Sequence, residues 1–413
     1  MLFAIGAPVR AQSLSAEDLA RRTIERRAVE AVIWGMPAVN AELMFQAMRD
    51  ARADFNQVVY WSQPASWKNQ TLTPNPSTIY FMPFFNTKRS GPMVLEIPQT
   101  YGGISISGSI DEAWQTAIED VGAAGMDKGY GGKYLILPPG FRGPRPEGYI
   151  ALRSSTYAGF ALLRCNLKTA DSAGVARAVA YGKRIRLYPL SLTPTPPPTT
   201  FVDASDVVFD STIPYDLGFF RALDRFVQRE PWLTRDKVMI EHLRTIGIEK
   251  GKPFDPDAGT QRILADAANE ARAWLDQRYE AQLAAPFAAG ARWALPVDQK
   301  VSEGLMTNFA EPNTYPVDGR GLGYSMGYFS AKRLGGGQFY LMTIMDKAGN
   351  ALSGGKSYRL QTNAPPVGGG FGNNFADFSP LIMIPGSGQF VTNFVDGGVA
   401  TNAARYYRVR LGP

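Results

Sequence analysis

Apolar residues first recur at helical spacing between residues 15 and 50, where Val29, Ile33, Met36, Leu43 and Met48 form an approximate stripe. Ser15 is a good N-cap and Asp18 adds an acid to the first turn. The Gly35-Met36-Pro37 step predicts a kink or a split in this helix. From 57 to 165 the pattern changes to short apolar runs bounded by Gly, Pro and Asn, which predicts strands. These runs are Ile79 to Phe85, Met93 to Ile97, Lys133 to Leu137, Tyr149 to Leu152 and Phe160 to Arg164. The more polar stretch from Ile106 to Asp127 reads as a short helix or a long loop. A helix is predicted over Ser172 to Lys183, then an alternating strand, Arg184 to Tyr188, stopped by Pro189. Thr193 to Pro198 reads as a stiff extended linker.

Residues 214–288 read as helical. Val238, Met239, Leu243 and Ile246 share one face, and Asp255-Pro256 is a helix start. Ile263, Leu264, Ala267, Ala271, Trp274, Leu275 and Arg278 then run along one side. Strand patterning returns after 290. Gln338 to Met345, a turn at Asp346 to Asn350 and Lys356 to Gln361 form a predicted hairpin, and Tyr406 to Leu411 a closing strand. This order, β-rich then helical then β-rich, predicts an α+β fold that is mainly β. Two β-domains, 15–198 and 290–413, are joined by a helical bridge over 199–289, and a doubly wound sheet is not expected.

Composition narrows the function classes. Among 413 residues the net charge is +6 and no dense basic block occurs, which argues against nucleic-acid binding. Residues 1–11 resemble the tail of a signal peptide without its charged leading region. Val9-Arg10-Ala11 fits a small-x-small cleavage pattern with Gln12 as the mature start. No later run reaches the ~18 apolar residues that cross a bilayer. The expectation is a soluble periplasmic or secreted protein.

The chain has one histidine, His242, and one cysteine, Cys165, so no intrachain disulfide is possible. A triad has only His242 as its base, and that residue falls on the apolar side of its helix. Cys165 ends an apolar run and reads as a buried, inert thiol. Two potential thiol or imidazole ligands are too few for structural zinc. Asp111, Glu112, Glu119, Asp120 and Asp127 lie close in sequence but lack calcium-loop spacing, and read as solvated loop acids. Gly125 to Lys133 lacks the ending of a phosphate loop. Neither a metal nor a cofactor is called for.

Several segments together resemble the bacterial domain-of-unknown-function family 1254, usually followed by its partner 1214. They are Val32 to Pro37, Thr73 to Tyr80, Gly91 to Pro98, Tyr134 to Gly140, Ile246 to Phe254 and Tyr315 to Arg320. The resemblance implies β-sandwich or jelly-roll-like domains with helical insertions, and frequent export. It brings no established reaction. The family commonly carries an acid where this chain has Ser77, within Asn75 to Tyr80. After Asn363 the text departs from the partner's usual ending, which implies a divergent or truncated second domain.

The remaining constellation is polar and aromatic. Asn75, Thr78 and Tyr80 open a strand, Asp111 and Trp114 sit in the predicted loop, and Arg153 and Tyr157 follow Tyr149. An arginine held by an acid, with amide, hydroxyl and aromatic groups around it, suits a small polar ligand such as a sugar or an organic acid. Two other readings stand beside this one. Asp111, Glu112 and Asp120 are the carboxylates available to a metal-independent hydrolase or lyase. The second β-domain would equally suit a structural or assembly module, as a homo-oligomer.

Overall fold

A computed structural model describes residues 14–282, apart from 67, 72–74, 76 and 124, together with short strands between 352 and 411. Residues 1–13 and 283–351, the latter with the predicted strand Gln338 to Met345, lie outside the described residues.

The chain begins with α1 (Ala16–Asp50), capped by Ser15, whose hydroxyl accepts from the Asp18 amide at 3.0 Å. β1 (Gln57–Tyr60) and β2 (Thr78–Asn86) follow, with the single-turn α2 (Thr87–Ser90) and β3 (Met93–Ile97). Next come β4 (Ser105–Glu112), β5 (Ala117–Val121), β6 (Gly132–Leu137), β7 (Ile150–Arg153) and β8 (Ala158–Asn166). The described N-terminal region closes with α3 (Ser172–Gly182), β9 (Arg186–Pro189), β10 (Phe201–Asp203), α4 (Leu217–Arg229), α5 (Val238–Thr245) and α6 (Ala258–Gln282).

Two sheets organise these elements. One has the order β10-β1-β2-β8-β4-β5 and the other β7-β6-β3-β9. In an antiparallel pair, directly opposed residues share a face, so burial divides the larger sheet into two sides. Ile79, Phe81, Phe85, Ile106, Ile110, Leu163 and Cys165 point towards the second sheet and α3, in a core completed by Leu95, Ile136 and Ala178. Tyr80, Met82, Phe84 and Phe160 point the other way, into a core built with Val32, Met36 and Phe45 of α1 and Phe219, Leu223 and Phe226 of α4. Leu264, Ala267, Ala271 and Leu275 of α6 join this second core, as the helical stripe predicts.

Four local expectations are corrected. The stretch from Ile106 to Asp127 is neither a helix nor a long loop, because β4 and β5 form a hairpin there. Its signal is a period-two alternation, with Ile106 and Ile110 inward and Ser107, Ser109 and Asp111 on the opposite side. The helix α1 runs through Pro37 as a single element of 35 residues. Its middle is buried on all sides, and Gly35 lets Leu223 approach, so packing overrides the break that proline favours. The last helix starts later than Asp255. Asp257 is the residue whose carboxylate accepts from the amides of Gly259 and Thr260, at 2.8 and 3.0 Å. Finally, Val238 is exposed rather than sharing the buried face of Met239 and Leu243.

Residues 199–289, read as a bridge, supply β10, which pairs in parallel with β1, and helices that pack on α1. Towards the C-terminus, β11 (Leu352–Ser353) pairs with β15 (Gln389–Phe390). β12 (Ser357–Asn363) pairs with β13 (Ala376–Asp377), β14 (Ile382–Met383) and the closing strand β16 (Tyr406–Leu411). The closing strand therefore lies in the same sheet as 357–363. The described structure is a mixed α/β arrangement of sheets and helices.

Candidate functional site

The helix-side face of the larger sheet changes character across its width. At β1 and β2 it is apolar and covered by α1. At β4 and β5 it becomes polar, and Arg164 at one end of β8 continues the change while Phe160 and Leu162 remain apolar. Tyr80, Arg164 and Ser107 stand in one cross-strand row, Leu162, Ser109 and Asp120 in the next, and Phe160 and Asp111 in a third. Successive rows are about 7 Å apart along the strands, so this polar strip runs roughly 13 Å from first row to third.

Asp111 is the buried end of the strip, at 8% exposure. Burial pushes its carboxyl up to about 7, Asp120 and Glu112 add to the shift, and a 3.0 Å hydrogen bond from the Ser109 hydroxyl opposes it. Burial also raises Asp120. Asp111, Glu112 and Asp127 are thus buried acids, contrary to the reading of this group as solvated loop acids. Glu112 has a structural task, since it accepts from the Ser155 amide at 2.9 Å and from the Ser155 hydroxyl. Glu119 accepts from the Asp120 amide at 3.0 Å.

At the other end of the strip the Arg164 guanidinium lies over the Tyr80 ring, 5.9 Å from its centroid. The Asn166 amide donates to the hydroxyls of Ser105 and Ser107 at 3.3 and 3.0 Å, which fixes those side chains along the strip.

The seven residues singled out from the sequence are distributed unevenly about this face. Tyr80 and Asp111 are on the strip. Thr78 is fully buried beside it and donates to the Cys165 carbonyl at 3.1 Å. Asn75 precedes β2, where its side-chain oxygen accepts from the amide and hydroxyl of Ser77 at 2.9 and 2.7 Å. Ser77 therefore serves a local turn. Trp114 is in the β4–β5 turn, buried edge-on against Trp34 and Phe226 with centroids 4.9 Å away in both cases. Arg153 is exposed at the end of β7, an edge strand of the other sheet, and no ion pair among the described residues joins it to Asp111. Tyr157 sits just before β8, its ring 5.5 Å from the Lys88 ammonium and its amide bound by Glu230 at 2.6 Å.

Arg164, Ser107 and Ser109 are not among those seven. The signal that finds them is the strand alternation of 105–112, combined with the cross-strand register to β8. His242 is tied structurally, one ring nitrogen against Arg27 and the other 3.1 Å from the Val238 carbonyl. Cys165 is buried, its thiol donates to the Ala178 carbonyl at 3.2 Å, and burial pushes its pKa up to about 12. That is the inert thiol expected. Among the described residues no group of three or more His, Cys, Asp or Glu is placed to hold a metal ion. No described helix is long and apolar enough to cross a membrane.

Residues 55–189 match the family model described as a protein of unknown function, DUF1254. This span includes the whole polar strip. No curated protein matches the chain. Among solved structures, the chain is similar in fold to the VPA0106 protein from Vibrio parahaemolyticus, with a TM-score of 0.51 and 14% identity over 83% of this chain and 76% of that one.

Proposed function

We propose that this chain binds a small polar molecule, a sugar or an organic acid, on the helix-side face of the larger sheet. The observation that carries the reading is the switch of that face from apolar to polar at β4 and β5, with Arg164 of β8 beside it. A sheet face turned towards helices is ordinarily filled with apolar side chains. Here three rows add Arg164, Ser107, Ser109, Asp120 and Asp111 to the apolar Tyr80, Leu162 and Phe160. Charged and hydroxyl groups on a rigid sheet supply the few fixed polar contacts that orient a small ligand. Arg164 takes the part that the sequence reading assigns to Arg153. Thr78, Trp114 and the Asn75 turn hold the ends of β2 and β4 behind it.

Thermal-shift measurements against neutral sugars and small organic acids are expected to raise Tm with at least one compound. Arg164→Met and Asp120→Asn are each expected to shrink that shift. A flat panel, or a shift in both variants as large as in the parent, overturns the reading.

A second reading, acid–base catalysis without a metal, is favoured by Asp111 alone. A carboxyl held near 7 both gives and takes a proton at neutral pH, as a hydrolase or lyase requires. Turnover of the bound compound that disappears in Asp111→Asn while binding persists would establish it; turnover that survives the substitution would remove it.

Export is likewise our proposal, resting on Val9-Arg10-Ala11. N-terminal sequencing of periplasmic material should begin at Gln12, and a cytoplasmic chain that retains the residues before Gln12 would refute it. We also propose that residues 290–413 form a second, divergent β-domain akin to the 1214 partner, of jelly-roll type.

A further inference from the structure

Two neighbouring loops carry a feature that ligand binding on the strip does not use. Among the described residues eight large apolar side chains are exposed, and three of them, Tyr101, Met126 and Tyr130, at 73%, 62% and 76%, lie on a pair of joined loops. All three are on loops at one end of the larger sheet, 98–104 and 122–131. The loops are stitched together: the Thr100 amide donates to the Gly129 carbonyl at 3.2 Å, and at Gly131 a Cβ would meet the Gln99 amide nitrogen at 2.6 Å. Gly102, Gly103, Gly129 and Gly131 all have positive φ, which permits the tight turns.

The loops are anchored from below. The Tyr181 hydroxyl bonds the carbonyls of Pro98 and Gln99, at 3.0 and 2.9 Å, and the Asp127 carboxylate accepts from the Gly122 amide at 2.7 Å. The three apolar side chains thus project from a braced platform. The exposed charge within the two loops is positive. Lys128 is exposed on the second loop, and exposed Lys168 lies along Gly103 on the first. The one acid within either loop, Asp127, is buried.

Tyrosines with an apolar body and a polar tip, a flexible methionine and flanking lysines make a surface suited to the boundary between lipid headgroups and acyl chains. The positive charge selects an anionic headgroup. We infer that the paired loops 98–104 and 122–131 dock this protein peripherally on an anionic lipid surface. Tyr101, Met126 and Tyr130 enter the interface while Lys128 and Lys168 face the headgroups.

The test is co-sedimentation of the full chain with vesicles of phosphatidylcholine alone or phosphatidylcholine mixed with phosphatidylglycerol. Binding is expected to the mixed vesicles and to weaken as salt is raised. Lys128→Ala should weaken it about fivefold, and the double variant Tyr101→Ser with Tyr130→Ser should weaken it further. All these side chains are exposed, so the variants should melt with the parent, and a matched melting curve certifies that each is folded. No binding to mixed vesicles, equal binding to both vesicle types, or binding unchanged in the folded double variant would overturn the inference.

Discussion

Asp111 concentrates the chemistry of the strip in one side chain, and its burial makes a pH prediction. Its ordinary value is 3.8 and the folded protein holds it near 7. Below about pH 4 the carboxyl is protonated in both states and burial carries no penalty. Between 4 and 7 the unfolded chain releases this proton while the folded chain keeps it, so stability falls as pH rises; above 7 the loss is complete. An asparagine in this place resembles the protonated acid. Asp111→Asn should therefore match the parent near pH 4 and exceed it at pH 8 by a few kcal/mol, on the order of 1.4 kcal/mol for each pH unit that separates the folded and unfolded values. Urea denaturation at pH 4, 6 and 8 reads this directly, and a gap that does not widen with pH would refute it. Asp111 is legible as a polar candidate in the sequence, but its burial is not. Ile106 and Ile110 are the only strong apolar residues of β4, too few for the alternation to stand out from a loop. Arg164 is hidden for a related reason: it lies in the apolar run of β8, and only its register opposite Tyr80 and Ser107 reveals the face it takes.

At the scale of elements, one buried ionic latch joins α1, α4 and β8. Glu42 accepts from Arg225 at 3.0 Å and from Arg229, and Arg229 donates to Glu230 at 2.8 Å. Glu230 in turn binds the amides of Tyr157 and Ala158, at 2.6 and 3.1 Å. Burial alone would lower the Arg229 pKa, but Glu42 and Glu230 carry it above its ordinary value. Removing Glu42 leaves the buried Arg229 guanidinium with Glu230 as its one remaining carboxylate, while the half-exposed Arg225 turns to water, so Glu42→Ala should cost about 3 kcal/mol by urea denaturation. The exposed pair Lys252–Glu249 makes the contrast: Lys252→Ala should stay within about 0.5 kcal/mol. Similar losses for the two variants would show that the latch adds nothing beyond a surface pair. A second contact at this scale sets α3 against β2. A Cβ at Gly182 would fall 2.1 Å from the Phe81 ring, which is fully buried and has no room to retreat. Gly182→Ala should lower stability by about 1–3 kcal/mol through overpacking, and an unchanged Tm would show that α3 shifts freely. The helices themselves are readable from periodicity and caps. The latch is not, because the glutamates and arginines that form it come from residues 42 and 225–230, and nothing local pairs them.

For the molecule as a whole, the question is where a folding unit ends. The proline-rich stretch Thr193 to Pro198 reads as a linker, and composition alone places a boundary there. A stiff segment, however, says nothing about what its two ends attach to. The strand that follows it, β10, pairs with β1 from Val58↔Phe201 to Tyr60↔Asp203, and so forms the edge of the larger sheet. Beyond it, Phe219, Phe220, Leu223 and Phe226 of α4 and Leu264, Ala268 and Leu275 of α6 are buried in the same core as α1. A chain ending at 198 would lose that edge strand and expose the helix-side apolar surface of α1. At about 25 cal/mol per Å² of apolar area, uncovering several aromatic and leucine side chains exceeds the margin by which a domain is stable. A fragment of residues 14–198 should therefore melt without a cooperative transition and bind a hydrophobic dye, whereas 14–282 should unfold in one sharp step. Cooperative melting of 14–198 would mean that the sheet and α1 suffice by themselves and that α4 and α6 are an addition. The strip around Asp111 would then belong to the smaller unit. Loss of cooperativity in 14–198 but not in 14–282 would instead make the helices part of the scaffold on which that strip is held.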